Sequence, residues 1–203
     1  MTKDIQNAKS LEEISSIIAD CKRCDLYQTK TKDVPGVGSP KAEIMFIGEA
    51  PGKKEDEEGE PFVGAAGKFL TEMIESIGLK RGDVYIANVL KHRPPENRDP
   101  FPEEAKACFP NLERQIEIIQ PKLIVFLGRH AMNRFFPEFR ISNVHGKAFQ
   151  KKSDLAESGQ QVYLALYHPA AALYNGGLRE TLKDDFNKIP KILEKKYRKG
   201  QFR

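Results

Sequence analysis

The sequence predicts an α/β protein, a three-layer α/β/α domain built on a central, mainly parallel four-stranded sheet. Four short apolar runs alternate with stretches of helical periodicity, which is the order of elements in a parallel sheet covered by helices on both faces. The runs are apolar throughout, as expected of strands buried on both faces. Because 203 residues suffice for one large hydrophobic core, we treat residues 1–203 as a single domain.

Strands and helices alternate along the chain, and local signals set their ends. The strands are expected at residues 43–47, 84–89, 123–127 and 162–167. The helices are expected at residues 11–19, 64–77, 102–119 and 129–136, with closing helices between 170 and 195. Leu11, Ile14 and Ile18 have helical spacing, and Pro102 followed by acidic residues is typical of a helix start.

Composition and charge narrow the class of protein. The net charge is +4 and 31% of the residues are charged. No stretch approaches the roughly 18 apolar residues of a membrane span, and residues 1–10 are polar, without the apolar centre of a signal peptide. We therefore expect an intracellular protein without a membrane partner. The basic tail at about 188–203 fits an anionic partner, although such runs are more often solvated helix ends.

Three cysteines and one histidine form the first candidate site. Cys21 and Cys24 make a C-x-x-C, and His92 precedes Cys108 by sixteen residues. Three thiols cannot pair evenly, and an intracellular setting keeps them reduced, so metal ligation is favoured over disulfides. A Cys3His set alone indicates structural zinc. An iron–sulfur cluster is the alternative, because thiolates hold such clusters and histidine can replace a thiolate. It also remains open that His92 only neighbours a three-cysteine site.

A second candidate site lies beyond the carboxyl ends of the predicted strands, where ligands bind in such sheets. The first strand is followed by a loop that carries Glu49, the second ends near Asn88, and the fourth is followed by His168. A carboxylate, a carboxamide and an imidazole at one rim indicate an active site, because none is favoured in a core without a partner. His130 and His145 lack such company and are expected to be structural or surface residues.

Several residues around this rim are suited to contact a ligand. The loop at 48–52 has glycines that allow close approach and a proline that stiffens it, although an ordinary turn explains it about equally well. Phe62 could stack on a planar ligand or be an ordinary core residue. The loop's residues are Gly48, Glu49, Ala50, Pro51 and Gly52.

With these pieces in place, the chain resembles the family 4 uracil-DNA glycosylases, the iron–sulfur branch of their superfamily. The matching strings are GEAPG at 48–52, EPFVGAAGKFL at 60–70, NVLKHRPPENRDP at 88–100, LIVFLGRHA at 123–131 and HPAAAL at 168–173. They cover nearly the whole chain in the family's order. The resemblance implies a uracil-DNA glycosylase-like fold, a [4Fe-4S] cluster, and hydrolytic removal of uracil from DNA in base excision repair.

The resemblance also implies a role for each motif residue. Phe62 would stack on the extruded base, Asn88 would bond uracil, and His168 would donate to uracil O2. Glu49 would direct the attacking water or else stabilise the sugar cation, with Glu55 and Asp56 as substitute acids. Substrate contacts are implied for Gly48, Ala50, Pro51 and Gly52, and cluster ligation for Cys21, Cys24, His92 and Cys108, the first two in an N-terminal cluster-binding segment at about 11–40.

One position departs from the family pattern. The family usually has cysteine within a K-C-R-P-P string, whereas this chain has His92 there. A related branch that becomes covalently attached to uracil-DNA also has histidine at this place, but its bonding histidine lies in a K-R-R-I-H loop. The corresponding stretch here, residues 94–100, reads PPENRDP. We therefore expect ordinary turnover rather than crosslinking.

The expected partner is DNA that contains uracil, single- or double-stranded. We expect a cytoplasmic, nucleoid-associated monomer, and the sequence does not indicate a sliding clamp as partner. Arg93, Arg98, Arg129 and the basic tail are candidates for phosphate contacts. The alternative from another class is a non-catalytic iron–sulfur DNA-binding or polymerase-associated module, and retention of the motif residues argues against it.

Overall fold

The computed structural model describes residues 4–195 and shows a six-stranded sheet between two layers of helices. The strands are β1 (Val37–Gly38), β2 (Ile44–Gly48), β3 (Tyr85–Asn88), β4 (Leu123–Leu127), β5 (Ala148–Lys152) and β6 (Gln160–Leu166). Their order in the sheet is β1-β3-β2-β4-β6-β5. The four inner strands are parallel and both edge strands are antiparallel. The predicted fold class is confirmed, with six strands where four were expected.

The two additional strands have weak sequence signals. β1 is two residues long and lies in a stretch where no strand was expected. β5 is only partly buried and ends in Lys151 and Lys152. It pairs with β6 through neighbours such as Phe149 opposite Tyr163. Charged, partly exposed residues are common on edge strands, but they hide the apolar pattern on which a prediction depends.

The long helices lie where the sequence predicted them. The bounds of the helices are α1 (Leu11–Ala19), α2 (Lys53–Glu58), α3 (Ala65–Ser76), α4 (Pro102–Ile119), α5 (Arg129–Phe135), α6 (Ile141–Val144), α7 (Pro169–Leu173), α8 (Gly176–Phe186) and α9 (Ile189–Glu194). The short helices α2 and α6 were not predicted. None of the described helices is long and apolar enough to span a membrane. Half of the predicted basic tail, residues 196–203, lies outside the described residues.

Alternate residues of the inner strands face two separate apolar cores. On β2, Phe46 packs in the core that α3, α7, α8 and α9 cover. Its neighbours Met45 and Ile47 pack in the core that α4 and α5 cover. All five residues of β2 are buried, so the strand is apolar throughout because both of its faces are covered.

The N-terminal helix α1 is attached to the outside of α4. Ser10 caps α1 by accepting from the Glu13 N–H, and Ile14 and Ile18 are buried in a small apolar cluster with Ile118 of α4. This packing fixes the point at which α1 ends. The C-x-x-C follows directly, so α1 delivers it to the α4 side of the sheet.

Parallel pairing brings the carboxyl ends of the inner strands to one edge. Gly48, the last residue of β2, is opposite Asn88, the last residue of β3. On the other side of β2, the Gly128 N–H beyond β4 donates to the Leu166 carbonyl of β6. His168 follows two residues later. The residues predicted to share a rim are therefore neighbours in space.

Candidate active site and cysteine corner

A cleft of about 380 Å³ opens beyond the carboxyl ends of β2, β3 and β6. This volume is within the range of ligand-binding pockets. Among the residues lining it are Glu49, Ala50, Pro51, Gly52, Glu55, Phe62, Asn88, Asp99 and His168. The structure thus brings together the side chains expected at the rim, while their roles remain predictions.

Asn88 presents its carboxamide to the cleft at the end of β3. Its residue is 2% exposed, and no side chain within residues 4–195 hydrogen-bonds the amide group. Gly48 gives it room, because a Cβ there would stand 2.3 Å from Asn88 Oδ1 and 2.7 Å from Phe62 Cζ. The amide opens into the cleft, so Asn88 is suited to a ligand that offers one donor and one acceptor.

Phe62 is held beside Asn88 by a strained backbone. Its φ is +55°, a conformation that costs a phenylalanine about 1 kcal/mol or more. Gly67 makes the conformation possible, since a Cβ at Gly67 would lie 1.8 Å from the Phe62 carbonyl oxygen. The ring stacks on His168, with centroids 5.6 Å apart and planes inclined by 30°. Phe62 is buried, as an ordinary core residue would be, and it also lines the cleft.

Glu55 joins the two loops that form the cleft. Its Oε2 accepts from the Gly52 N–H at 3.1 Å, and its Oε1 accepts from the N–H groups of Val63 (3.1 Å) and Gly64 (3.0 Å). The carboxylate thereby fastens the loop at 48–52 to the segment that carries Phe62. Its neighbour Asp56 is buried and accepts from the Thr31 N–H. Both carboxylates already accept hydrogen bonds from backbone N–H groups, so a role as the substitute acid considered above would compete with these contacts.

His168 is a neutral imidazole with a defined tautomer. Its Nδ1 accepts from the Ala170 N–H at 3.1 Å, and because a backbone N–H can only donate, the ring proton must reside on Nε2. Burial lowers the pKa of His168 to about 4, so the ring stays neutral at pH 7. Gly128 (φ +94°) allows the close approach, since its Cβ would be 3.1 Å from that of His168. Within residues 4–195 Nε2 has no hydrogen-bond partner, and its N–H is free to donate to a ligand.

Glu49 lies at the mouth of the cleft beside His130, which was not among the candidate site residues predicted from the sequence. Its Oε1 is 3.7 Å from His130 Nδ1, and Asp99 Oδ2 is 3.7 Å from His130 Nε2. Burial raises the pKa of Glu49, and Asp99 adds to that effect, whereas His130 and Arg129 oppose it. His130, which was expected to be a structural or surface residue, thus lies beside the candidate base.

These three side chains are the one group in residues 4–195 whose ligand atoms are close enough for a metal ion, lying within 4.8 Å of one another. Their arrangement does not favour one, however. Glu49 faces one ring nitrogen of His130 and Asp99 faces the other, whereas a metal ion binds one nitrogen. The Arg129 Nε–H also donates to His130 Nε2 at 3.1 Å, so a cationic group already occupies that nitrogen.

The cysteine corner, formed by Cys21, Cys24, Cys108 and the residues around them, lies behind the loop at 48–52. Cys108 is buried, the other two cysteines are half-buried, and none is in a disulfide. Cys24 and Cys108 pack in one apolar cluster with Leu26, Leu90 and Ala50. Ala50 is thus the direct contact between this corner and the cleft.

Hydrogen-bond donors are directed at the thiols. Arg23 Nε donates to Cys21 Sγ at 3.5 Å, and Asn111 Nδ2 donates to Cys108 Sγ at 3.7 Å. The Lys91 N–H also bonds the Cys108 sulfur, and the charge of Lys91 opposes the rise that burial causes in the pKa of that thiol. Such donors and cations stabilise thiolates that bind a metal or cluster.

The spacing of the thiols does not suit zinc. In a tetrahedral site with Zn–S bonds of about 2.3 Å, the sulfurs lie about 3.8 Å apart. Within the described part of the chain, no three of Cys21, Cys24, His92 and Cys108 bring ligand atoms within 4.8 Å of one another. A larger group, such as an iron–sulfur cluster held by the same thiolates, fits wider spacing better.

His92 points toward other partners. Its Nε2 is 2.9 Å from Asp33 Oδ1. Ligation through this nitrogen would therefore require the ring to turn away from Asp33. Its role as fourth ligand stays a prediction. Asp33 was not singled out from the sequence, and nothing in its loop signals the contact.

The arginines expected to meet phosphates are engaged within the protein. Arg98 pairs with Glu104 through two hydrogen bonds of 2.9 and 2.6 Å. Arg93 Nε donates to Asn97 Oδ1 at 2.8 Å, and Arg129 bonds His130. Phosphate binding would therefore compete with these contacts. By contrast, Tyr174 after α7 is 92% exposed and Leu173 is 36% exposed, so an apolar pair projects beside the cleft.

Comparisons with known proteins identify the family of the chain. Residues 35–191 match the family described as the uracil DNA glycosylase superfamily. A type-4 uracil-DNA glycosylase of Archaeoglobus fulgidus is 55% identical over 93% of this chain and 96% of that protein. Those of Sulfurisphaera tokodaii and Saccharolobus solfataricus are 52% and 46% identical, over 90% and 92% of this chain and 84% and 88% of theirs. The chain belongs to the uracil DNA glycosylase superfamily and, within it, to the type-4 uracil-DNA glycosylases.

Proposed function

We propose that this protein hydrolyses the N-glycosidic bond of uracil in single- and double-stranded DNA, releasing uracil and leaving an abasic site. One observation carries the proposal. The Asn88 carboxamide and the His168 imidazole open into one cleft with Phe62 beside both. Each of the two polar groups has a free hydrogen-bonding site that an extruded base can satisfy. Family membership supports the same substrate and reaction.

The base must leave the helix before it can enter the cleft. Extrusion of a nucleotide costs a few kcal/mol, least for a mismatch or a single strand. Leu173 and Tyr174 are exposed after α7, where they can enter the space that the base vacates, as apolar wedges do in distorted duplexes. Binding of the extruded base then offsets part of this cost.

Asn88 supplies the selectivity for uracil. Its amide can accept from uracil N3–H and donate to uracil O4. Cytosine presents the reverse pattern, so the same orientation of the amide would leave buried groups unpaired, which costs about 1–3 kcal/mol for each group. Phe62 stacks on the base and holds its edge toward Asn88.

His168 and Glu49 act on the two charges that develop as the bond breaks. Uracil O2 becomes negative, and the neutral His168 ring donates its Nε2–H to it, a type of stabilisation worth about 10²–10³ in rate. The sugar becomes cationic, and the Glu49 carboxylate at the mouth of the cleft stabilises it or directs the attacking water. In the loop at 48–52, Pro51 has no N–H and the Gly52 N–H already donates to Glu55, so any further backbone donors to the base come from Gly48, Glu49 or Ala50.

We also propose that the cysteine corner holds a [4Fe-4S] cluster through Cys21, Cys24 and Cys108, with His92 as the candidate fourth ligand. The donors around the thiols support ligation by thiolates, and the spacing of the thiols favours a cluster over zinc. Such a cluster supplies a cross-link between the end of α1 and α4, and it has no part in the bond cleavage. We propose further that the protein acts as an intracellular monomer.

A gel assay tests the proposed activity. The protein is incubated with an end-labelled single-stranded oligonucleotide that contains one uracil, beside a cytosine-containing control, and is analysed with and without alkali. We expect a cleaved band that requires both uracil and alkali. A retarded, heat-stable band would indicate covalent capture, and an unchanged oligonucleotide from protein that still binds DNA would support the non-catalytic module instead.

A further inference from the structure

His130 lies beside the candidate base Glu49, and the reaction described above assigns it no role. Resting on the proposed function, we infer that His130 is a positioning residue that holds the Glu49 carboxylate, so that its second oxygen faces the sugar and the attacking water. His130 does not itself contact the base. It acts through Glu49, and Arg129 fixes its orientation.

The tautomer of His130 follows from its contact with Arg129. The Arg129 Nε–H donates to His130 Nε2 at 3.1 Å, so Nε2 must offer its lone pair and the ring proton resides on Nδ1. Nδ1 is the nitrogen that faces Glu49 Oε1 at 3.7 Å. This separation exceeds a direct hydrogen bond. It suits a bridging water, or a contact that shortens when DNA closes the cleft.

The fold makes this contact dependable. Glu49 directly follows β2, and His130 is the second residue of α5, which begins just after β4. β2 and β4 are paired in parallel register, so their carboxyl ends hold the two residues at one edge. The Glu49 backbone is fixed as well, because its carbonyl accepts from the Leu90 N–H at 3.0 Å. Only the Glu49 side chain then needs to be oriented.

The charges around Glu49 show why a partner is needed. The group is half-buried, and burial raises its pKa, as does Asp99, whereas His130 and Arg129 act in the opposite direction. A carboxylate that must stay ionised near a cationic sugar benefits from a donor on one of its oxygens. Asp99 is mostly exposed and lies 3.7 Å from the other ring nitrogen, Nε2. It also lines the cleft, and its negative charge is one reason why Glu49 needs a donor to stay ionised.

A double-mutant cycle tests the inference with single-turnover excision of uracil. His130→Ala is expected to lower the maximal rate about tenfold, with little change in the DNA concentration that gives half the maximal rate. His130→Asn is expected to restore most of the rate, because its Nδ2–H can replace the Nδ1–H of histidine. In a Glu49→Gln background, His130→Ala is expected to have less than a twofold further effect.

Other outcomes overturn the inference. A His130→Ala variant with the wild-type rate, equal losses for the alanine and asparagine variants, or losses that multiply in the double variant would each exclude action through Glu49. A change confined to the DNA concentration that gives half the maximal rate would indicate that His130 contacts DNA instead. His145→Asn, at a residue that does not line the cleft, serves as the matched control for folding. A wild-type chain that excises no uracil would refute the proposed function itself, and the role of His130 with it.

Discussion

The cleft and the cysteine corner are adjacent, yet the chain organises them to different degrees. In the cleft, strand ends, backbone hydrogen bonds and the Glu55 carboxylate already hold Asn88, Phe62 and His168 in place. In the corner, donors are directed at the sulfurs, but the thiols are too far apart for a single metal ion and His92 bonds Asp33. On this account the chemistry of the cleft depends on the fold alone, whereas the cysteine corner is expected to be complete only with the proposed cluster.

Removal of His168 should give the largest effect and should affect chemistry alone. His168→Gln removes the Nε2–H donor, so we expect single-turnover excision to fall about 10²–10³-fold while the unfolding free energy changes little at pH 7. His145→Gln is the matched control. It breaks a 2.7 Å contact to the buried Asp185 and should therefore lower stability but not the rate per folded molecule. A wild-type rate for His168→Gln would remove the basis of the proposed mechanism.

Removal of a thiol should show the opposite pattern. Cys108→Ala deletes a buried candidate ligand between Leu26 and Leu90, so we expect loss of the visible absorption of the cluster. Unfolding in denaturant should show a loss of about 3 kcal/mol or more, as for loss of a structural metal group. Full cluster content in this variant would exclude Cys108 as a ligand.

The pH dependence of stability should separate the two regions further. The pKa of His168 is about 4 in the folded protein and 6.5 in the reference state. Between these two pH values the unfolded chain therefore binds a proton that the folded chain does not bind. The contribution of the neutral His168 ring to the free energy of unfolding is complete above pH 6.5 and is lost as the pH falls toward 4. Between pH 7 and pH 5 it amounts to up to about 2 kcal/mol. Denaturant titrations of wild type and His168→Gln should differ by this amount, and parallel curves would contradict a buried neutral His168.

A methyl group placed in the cleft should give the smallest of these effects. Gly48→Ala adds a Cβ against Asn88 Oδ1 and Phe62, and overpacking of this kind costs about 1–3 kcal/mol. We expect excision to fall about tenfold or more while cluster content remains that of the wild type. Gly82→Ala is the control, since nothing lies within 4 Å of its added Cβ. Equal excision rates for Gly48→Ala and Gly82→Ala would indicate that the extruded base binds elsewhere.

The sequence predicted most of the fold because the signals were local. The inner strands are continuous apolar runs, and α1 and α4 begin and end where their periodicity and caps indicate. β1 and β5 were missed because a two-residue strand and a half-exposed edge strand carry little pattern.

In the site, the convergence of Asn88 and His168 followed from the strand-end rule. Glu55 could also have been recognised, because Gly52 at the N-cap with Glu55 at the third helical position has the spacing of a capping box. The contacts of His130 with Glu49 and of His92 with Asp33 could not be predicted. They join side chains far apart in sequence, and no local pattern encodes such contacts.

The most direct test of the difference between the two regions is excision by protein from which the cluster has been stripped. The cluster is removed by mild oxidation with a chelator, folded protein is isolated at low temperature, and single-turnover excision of uracil is measured beside the intact sample. We expect lower resistance to denaturant but a rate per folded molecule within about tenfold of the intact protein. A loss of a hundredfold or more in protein that is still folded would show that the cleft depends on the cluster for its chemistry.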